Sequence, residues 1–73
     1  MAEQIVTAPM KARVIKFHAE KGSKVKERDP ICDLEAMKME IPILAPATGT
    51  IKALMASPGQ EVQAGDPLFS LES

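Results

Sequence analysis

The sequence predicts an all-β fold, a flattened barrel or sandwich of two four-stranded halves related by a pseudo-two-fold axis. Three observations predict it. Residues 8–35 align with residues 45–72 without a gap, at the 37-residue spacing that separates Pro9 from Pro46. Six Pro and four Gly are spread along the 73 residues and break every window long enough for a useful helix. The stretches between them are short and rich in apolar, often β-branched residues, as strands require.

The repeat rests on identities at turn positions. Ala8 matches Ala45, Pro9 matches Pro46, Ala19 matches Ala56, and Gly22 matches Gly59. Val25 matches Val62, Asp29-Pro30 matches Asp66-Pro67, and Leu34-Glu35 matches Leu71-Glu72. Val14 with Ile51, Phe17 with Leu54, Ile31 with Leu68 and Cys32 with Phe69 are apolar pairs. One such unit cannot bury its apolar side alone, so the two copies are expected to pack together.

Each copy divides into four strands. In the first, residues 4–7 run extended until Pro9 stops them, and residues 13–17 follow. A turn at Gly22 leads to a short strand at 24–26, and Asp29-Pro30 opens the strand at 31–35. The second copy repeats the plan at 39–44, 50–55, 61–63 and 68–72, with its turn at Pro58-Gly59. Residues 1–73 are therefore expected to form one domain, with copies at about 5–35 and 42–72 joined by a hairpin turn at 36–39.

Composition narrows the function. Two Phe and no Trp or Tyr leave the core to Ile, Val, Leu, Met and Ala. A net charge of −1 with interspersed signs argues against a nucleic-acid or anionic-membrane partner held by bulk charge. No apolar run is long enough to cross a membrane, and no secretion signal is visible at the N-terminus. The single cysteine, Cys32, rules out an internal disulfide and reads as a small buried hydrophobe in a reducing compartment. His18 reads as an edge or surface residue without a metal role, because no second His or Cys stands at ligand spacing. Met10 and Met55 read as core or near-core. No nucleophile–base pair suggests catalysis by the chain itself.

The stretch Glu35-Ala36-Met37-Lys38-Met39-Glu40 stands between the two copies. Hydrophobic alternation flips across it, as at a tight hairpin. Lys38 should then project from one end of the molecule, with both chain termini at the other. Taken alone, such a lysine is a solvated surface residue. Two Met flanking a turn cannot both be buried easily, so at least one is expected to be partly exposed.

These residues resemble the biotinyl domain, the biotin carboxyl carrier module of the biotin/lipoyl attachment family. The likeness is carried by residues 35–40, by Ala8-Pro9-Met10, by Ala45-Pro46-Ala47-Thr48-Gly49, and by the Gly-x-x-Val-x-x-x-Asp-Pro spacing from Gly22 and again from Gly59. It covers roughly residues 5–72. It implies a barrel-sandwich hybrid that is not itself an enzyme, with biotin in amide linkage to Lys38. It also implies that a biotin protein ligase recognises the surrounding motif, Glu35, Ala36, Met37, Met39 and Glu40. The loaded arm would shuttle carboxybiotin between biotin carboxylase and carboxyltransferase sites of a carboxylase, decarboxylase or transcarboxylase. Location follows as cytoplasmic, or the mitochondrial matrix in a eukaryote.

Two alternatives stand beside this reading. A lipoyl or dual biotin/lipoyl domain would modify a lysine at the same turn, although lipoyl domains usually read Asp-Lys-Ala there. An unmodified adaptor would leave Lys38 bare. The chain departs from the family pattern at Ala12 and Arg28, where Gly is usual and where the second copy keeps Gly49 and Gly65. Arg28 is therefore expected in a mildly strained turn. Some carriers insert a protruding thumb in the first copy. The connection from Ala19 to Lys24 is as long as that from Ala56 to Glu61, so no thumb is expected.

Overall fold

The computed structural model describes residues 2–73. Eight strands follow in order: β1 Glu3–Thr7, β2 Ala12–Phe17, β3 Lys24–Val25, β4 Pro30–Ala36, β5 Met39–Leu44, β6 Gly49–Leu54, β7 Glu61–Val62 and β8 Pro67–Glu72. Each lies within a residue or so of its place in the sequence reading. The described residues contain no helix.

The strands form two four-stranded antiparallel sheets, ordered β1-β8-β6-β3 and β5-β4-β2-β7. Each sheet takes two strands from each copy, so the copies interlock instead of stacking as separate layers. Both copies supply the core in matched pairs: Val14 with Ile51, Val25 with Val62, Ile31 with Leu68, Cys32 with Phe69 and Leu34 with Leu71 are all buried. Full burial of one large aliphatic or aromatic side chain is worth about 1.5–3 kcal/mol. No copy could keep its half of these partners alone.

The pseudo-two-fold extends to the turns. Gly22 N–H donates to the Ile51 carbonyl at 2.7 Å, and Gly59 N–H donates to the Val14 carbonyl at 2.7 Å. Lys26 N–H donates to Asp29 Oδ2 at 2.9 Å, and Gln63 N–H donates to Asp66 Oδ2 at the same distance. This side-chain bond explains the Asp before each Pro: the carboxylate closes the turn and the Pro starts the next strand. The residue before each Asp takes positive φ, 75° at Arg28 and 91° at Gly65. The strain expected at Arg28 is thus present.

Gly49 serves a different need. A Cβ at that position would collide with the backbone carbonyl of Glu72. Its mate Ala12 carries a methyl group and is buried. The two ends of the molecule are therefore not identical where β2 and β6 begin.

Two expectations about methionine are corrected. Met10 is 41% exposed and Met55 38% exposed, so neither belongs to the core. Met10 lies in the bend between β1 and β2, and Met55 follows the last residue of β6. At both places the chain is leaving the sheet, and the period-2 alternation that assigns inward residues no longer applies.

Candidate functional site

The chain reverses between β4 and β5 with only Met37 and Lys38 outside the ladder, because Ala36 pairs with Met39. Both loop residues have positive φ, 52° at Met37 and 64° at Lys38. This is the two-residue hairpin that favours Asn-Gly, since its twist matches that of the strands but requires φ > 0 twice. Here an unbranched apolar residue and a lysine occupy it, at a cost on the order of 1 kcal/mol each. Sequence that departs from the favoured turn in this way marks a place where the side chains matter more than local stability.

Ala36 is buried and anchors the turn to the core. Met37 is 91% exposed and Met39 68%, so both flanking methionines face solvent, where at least one was expected to. Lys38 is exposed and makes no hydrogen bond or ion pair among the described residues. Its amine stands clear of the protein at the apex of a stiff ribbon.

One register step below the turn, Glu35 faces Glu40 across β4 and β5. Opposed like charges destabilise a ladder. On the other side of β4, Arg13 lies opposite Glu35 and forms an ion pair with it. Arg13 also lies opposite Glu61 of β7. The motif carboxylates therefore differ: Glu35 is tied to a guanidinium, and Glu40 has no ion pair among the described residues. The sequence reading did not single out Arg13. The available signal was that its mate is Thr50, so the two copies differ in charge there.

The termini lie across the molecule from this turn. Ala2 N–H donates to the Ser73 carbonyl, and Ser73 N–H donates to the Ala2 carbonyl. From this pair β1 runs away toward Met10 and Lys11, which line a surface depression together with Met37. The body measures 35 × 18 × 16 Å, so the hairpin end and the terminal end are well separated.

A second polar contact lies away from the turn. His18 Nε2 is 2.9 Å from Asp33 Oδ2. His18 was expected at an edge or on the surface, and its pairing with Asp33 is an addition to that expectation. Cys32, beside it, is buried as expected, and burial together with the Asp33 charge pushes its thiol up to about 11. Such a thiol is inert packing, not a nucleophile.

Comparison with known proteins agrees with this geometry. The family model described as "Biotin-requiring enzyme", covering biotin and lipoyl attachment domains, matches residues 4–71. The biotin carboxyl carrier protein of acetyl-CoA carboxylase from Solanum lycopersicum is 45% identical over 67 residues, covering 92% of this chain and 96% of that protein. A biotin carboxyl carrier protein from Streptococcus mutans is 41% identical over 70 residues. That alignment covers 96% of this chain, which spans only about half, 54%, of the streptococcal protein. Among solved structures, the lipoyl domain of the 2-oxoglutarate dehydrogenase complex from Azotobacter vinelandii superposes with a TM-score of 0.83 at 28% identity. The match covers 94% of this chain and 95% of that one. The fold, the strained lysine hairpin and these matches lead to one conclusion: the chain belongs to the biotin/lipoyl attachment family of biotin-requiring enzymes.

Proposed function

We propose that this chain is a biotin carboxyl carrier domain, with biotin joined through an amide to Nζ of Lys38. The observation that carries the reading is Lys38 itself, exposed and without an ion pair among the described residues, at the second position of a two-residue turn with positive φ. The residues present fit the group. An amide requires a free amine that an enzyme can reach from outside, and the turn supplies one with no side chain folded over it. Bound there, biotin supplies a ureido nitrogen that can accept and release a carboxyl group.

The chain's own residues position and present that group; they do not react. The β4–β5 ribbon fixes the base of the lysine, and Ala36 locks the ribbon to the core. Lysine and the biotin tail together make an arm of roughly 14 Å, from about ten bonds of ordinary length. A tethered group stays at an effective concentration on the order of millimolar near any site the arm can reach. Exposed Met37 and Met39 offer soft apolar contacts to whichever enzyme receives the arm. Glu35 and Glu40 complete the surface that a biotin protein ligase would read, while Ala36, expected to be part of it, is buried and supports it from beneath.

The proposed partners are that ligase and the biotin carboxylase and carboxyltransferase parts of a biotin-dependent enzyme. Support comes from the tomato relative, whose name assigns it to acetyl-CoA carboxylase. A cytoplasmic or mitochondrial-matrix setting accords with a single, buried cysteine that has no disulfide partner in the chain. The likeness to a lipoyl domain keeps lipoate as the competing cargo.

The test is modification in the presence of each ligase. Incubation with a biotin protein ligase, biotin and ATP is expected to add one biotinyl mass, retained on streptavidin and absent from Lys38→Arg. Addition of lipoate by a lipoate ligase, with none of biotin, would reassign the cargo. Modification by neither would remove the carrier reading.

A further inference from the structure

A surface depression of about 480 Å³ lies beside the hairpin, lined by Met10, Lys11, Ala12, Arg13, Glu35, Ala36, Met37 and Glu61. Its volume is within the ~300–1,000 Å³ usual for small-ligand sites. We propose that this depression is a resting site for the ring system of the biotinyl group carried on Lys38 of the same chain.

Two kinds of observation support this occupant. The first is reach. Met37 belongs to the depression and is the immediate neighbour of Lys38, so an arm of roughly 14 Å can double back over it. No other ligand is held at this place by a covalent tether. The effective concentration set by the tether, on the order of millimolar, lets even a weak site fill much of the time.

The second is chemistry. One part of the surface is apolar, formed by Met10, Ala12, Ala36 and Met37, and thioethers and methyl groups suit the sulfur-containing ring of biotin. The polar side groups offer both kinds of hydrogen-bonding partner. Glu61 is a carboxylate acceptor without an ion pair among the described residues, and it can take a ureido N–H. Lys11 is likewise unpaired and can donate to the ureido oxygen. Arg13 is held against Glu35 through one of its guanidinium nitrogens and forms a wall of the depression. The depression also explains why Met10 is exposed although its mate in the repeat is Ala47: a large side chain is kept at a place where no core needs it.

The inference rests on biotin being attached at Lys38, and the experiment separates the two claims. Uniformly 15N-labelled protein is prepared unmodified and biotinylated, with the modification confirmed by intact mass. Amide shifts are then compared, and contacts are sought between the ring and the Met10 methyl group. Shifts are expected at residues 10–12 and at Glu61 as well as at residues 37–39, with a ring-to-Met10 contact. The double variant Met10→Ala/Glu61→Ala is expected to keep its mass gain and lose the remote shifts. Correct mass with shifts confined to residues 36–40 would overturn the resting site alone. Absence of the mass gain would overturn the attachment, and the resting site with it.

Discussion

His18 Nε2 and Asp33 Oδ2 stand 2.9 Å apart and join the end of the β2 segment to the middle of β4. Asp33 is only 6% exposed, and His18 is the side chain that satisfies it. At the matching places in the other copy are Met55 and Ser70, and Ser70 Oγ is buried without a partner among the described residues. The same pair of positions is thus polar and bonded in one half, and nearly apolar in the other.

Removing the histidine should expose how much Asp33 depends on it. A buried polar group left unpaired costs about 1–3 kcal/mol. His18→Ala is expected to lower unfolding stability by that amount in urea titrations. His18→Met with Asp33→Ser copies the other half and should recover most of the loss. A neutral His18→Ala would mean the contact contributes nothing.

The hairpin predicts a trade of stability against function. Met37→Asn with Lys38→Gly installs the residues that this turn favours. Relief of two strained positions should raise stability by about 1–2 kcal/mol. The same variant should accept no biotin, as read by intact mass. A variant no more stable than the parent would show that Met37 and Lys38 are not strained.

Arg28 offers a single-site version of the same argument. An L-residue in the left-handed region costs ~1–2 kcal/mol, while glycine gives back ~0.5–1 kcal/mol as lost chain entropy. The difference favours Arg28→Gly by about 0.5–1 kcal/mol. Its mirror, Gly65→Arg, should lose a similar amount. Thermal melts of both variants check the sign, and a destabilising Arg28→Gly would refute the account.

Cys32 gives the pH dependence. Its thiol is raised from 9.0 to about 11, mainly by burial and secondarily by the Asp33 charge. The folded state therefore holds the thiol proton more tightly than the unfolded state does. This contribution is complete below about pH 9 and disappears as pH rises toward 11. Urea midpoints measured from pH 8 to 11.5 should fall more steeply for the parent than for Cys32→Ala. Equal slopes would rule out the thiol as a source of alkaline loss.

Much of this was legible in the residues. The repeat was visible because both copies spend the same positions on core, as Ile31 and Leu68 or Leu34 and Leu71 show. Lys38 was visible because the motif sits where the repeat requires a turn. The strain at Met37 and Lys38 was not visible, since that turn is normally announced by Asn-Gly and no such signal is present. The His18–Asp33 contact was hidden for another reason. It joins residues far apart in sequence, and neither has a like residue at its mate. Arg13 was hidden in the same way. Positions where the two copies differ in charge, Arg13 with Thr50 and Asp33 with Ser70, are where the first copy has acquired something the repeat does not supply.

The reciprocal bonds between Ala2 and Ser73 have a mechanical consequence. Any polypeptide continuing from either residue departs from the same end. A single anchorage there turns the 35 Å body into a spoke, with Lys38 at its rim. The sweep of any group joined to Lys38 is then set by the length of the body as much as by the side chain, and the domain acts as a rigid extension of that side chain.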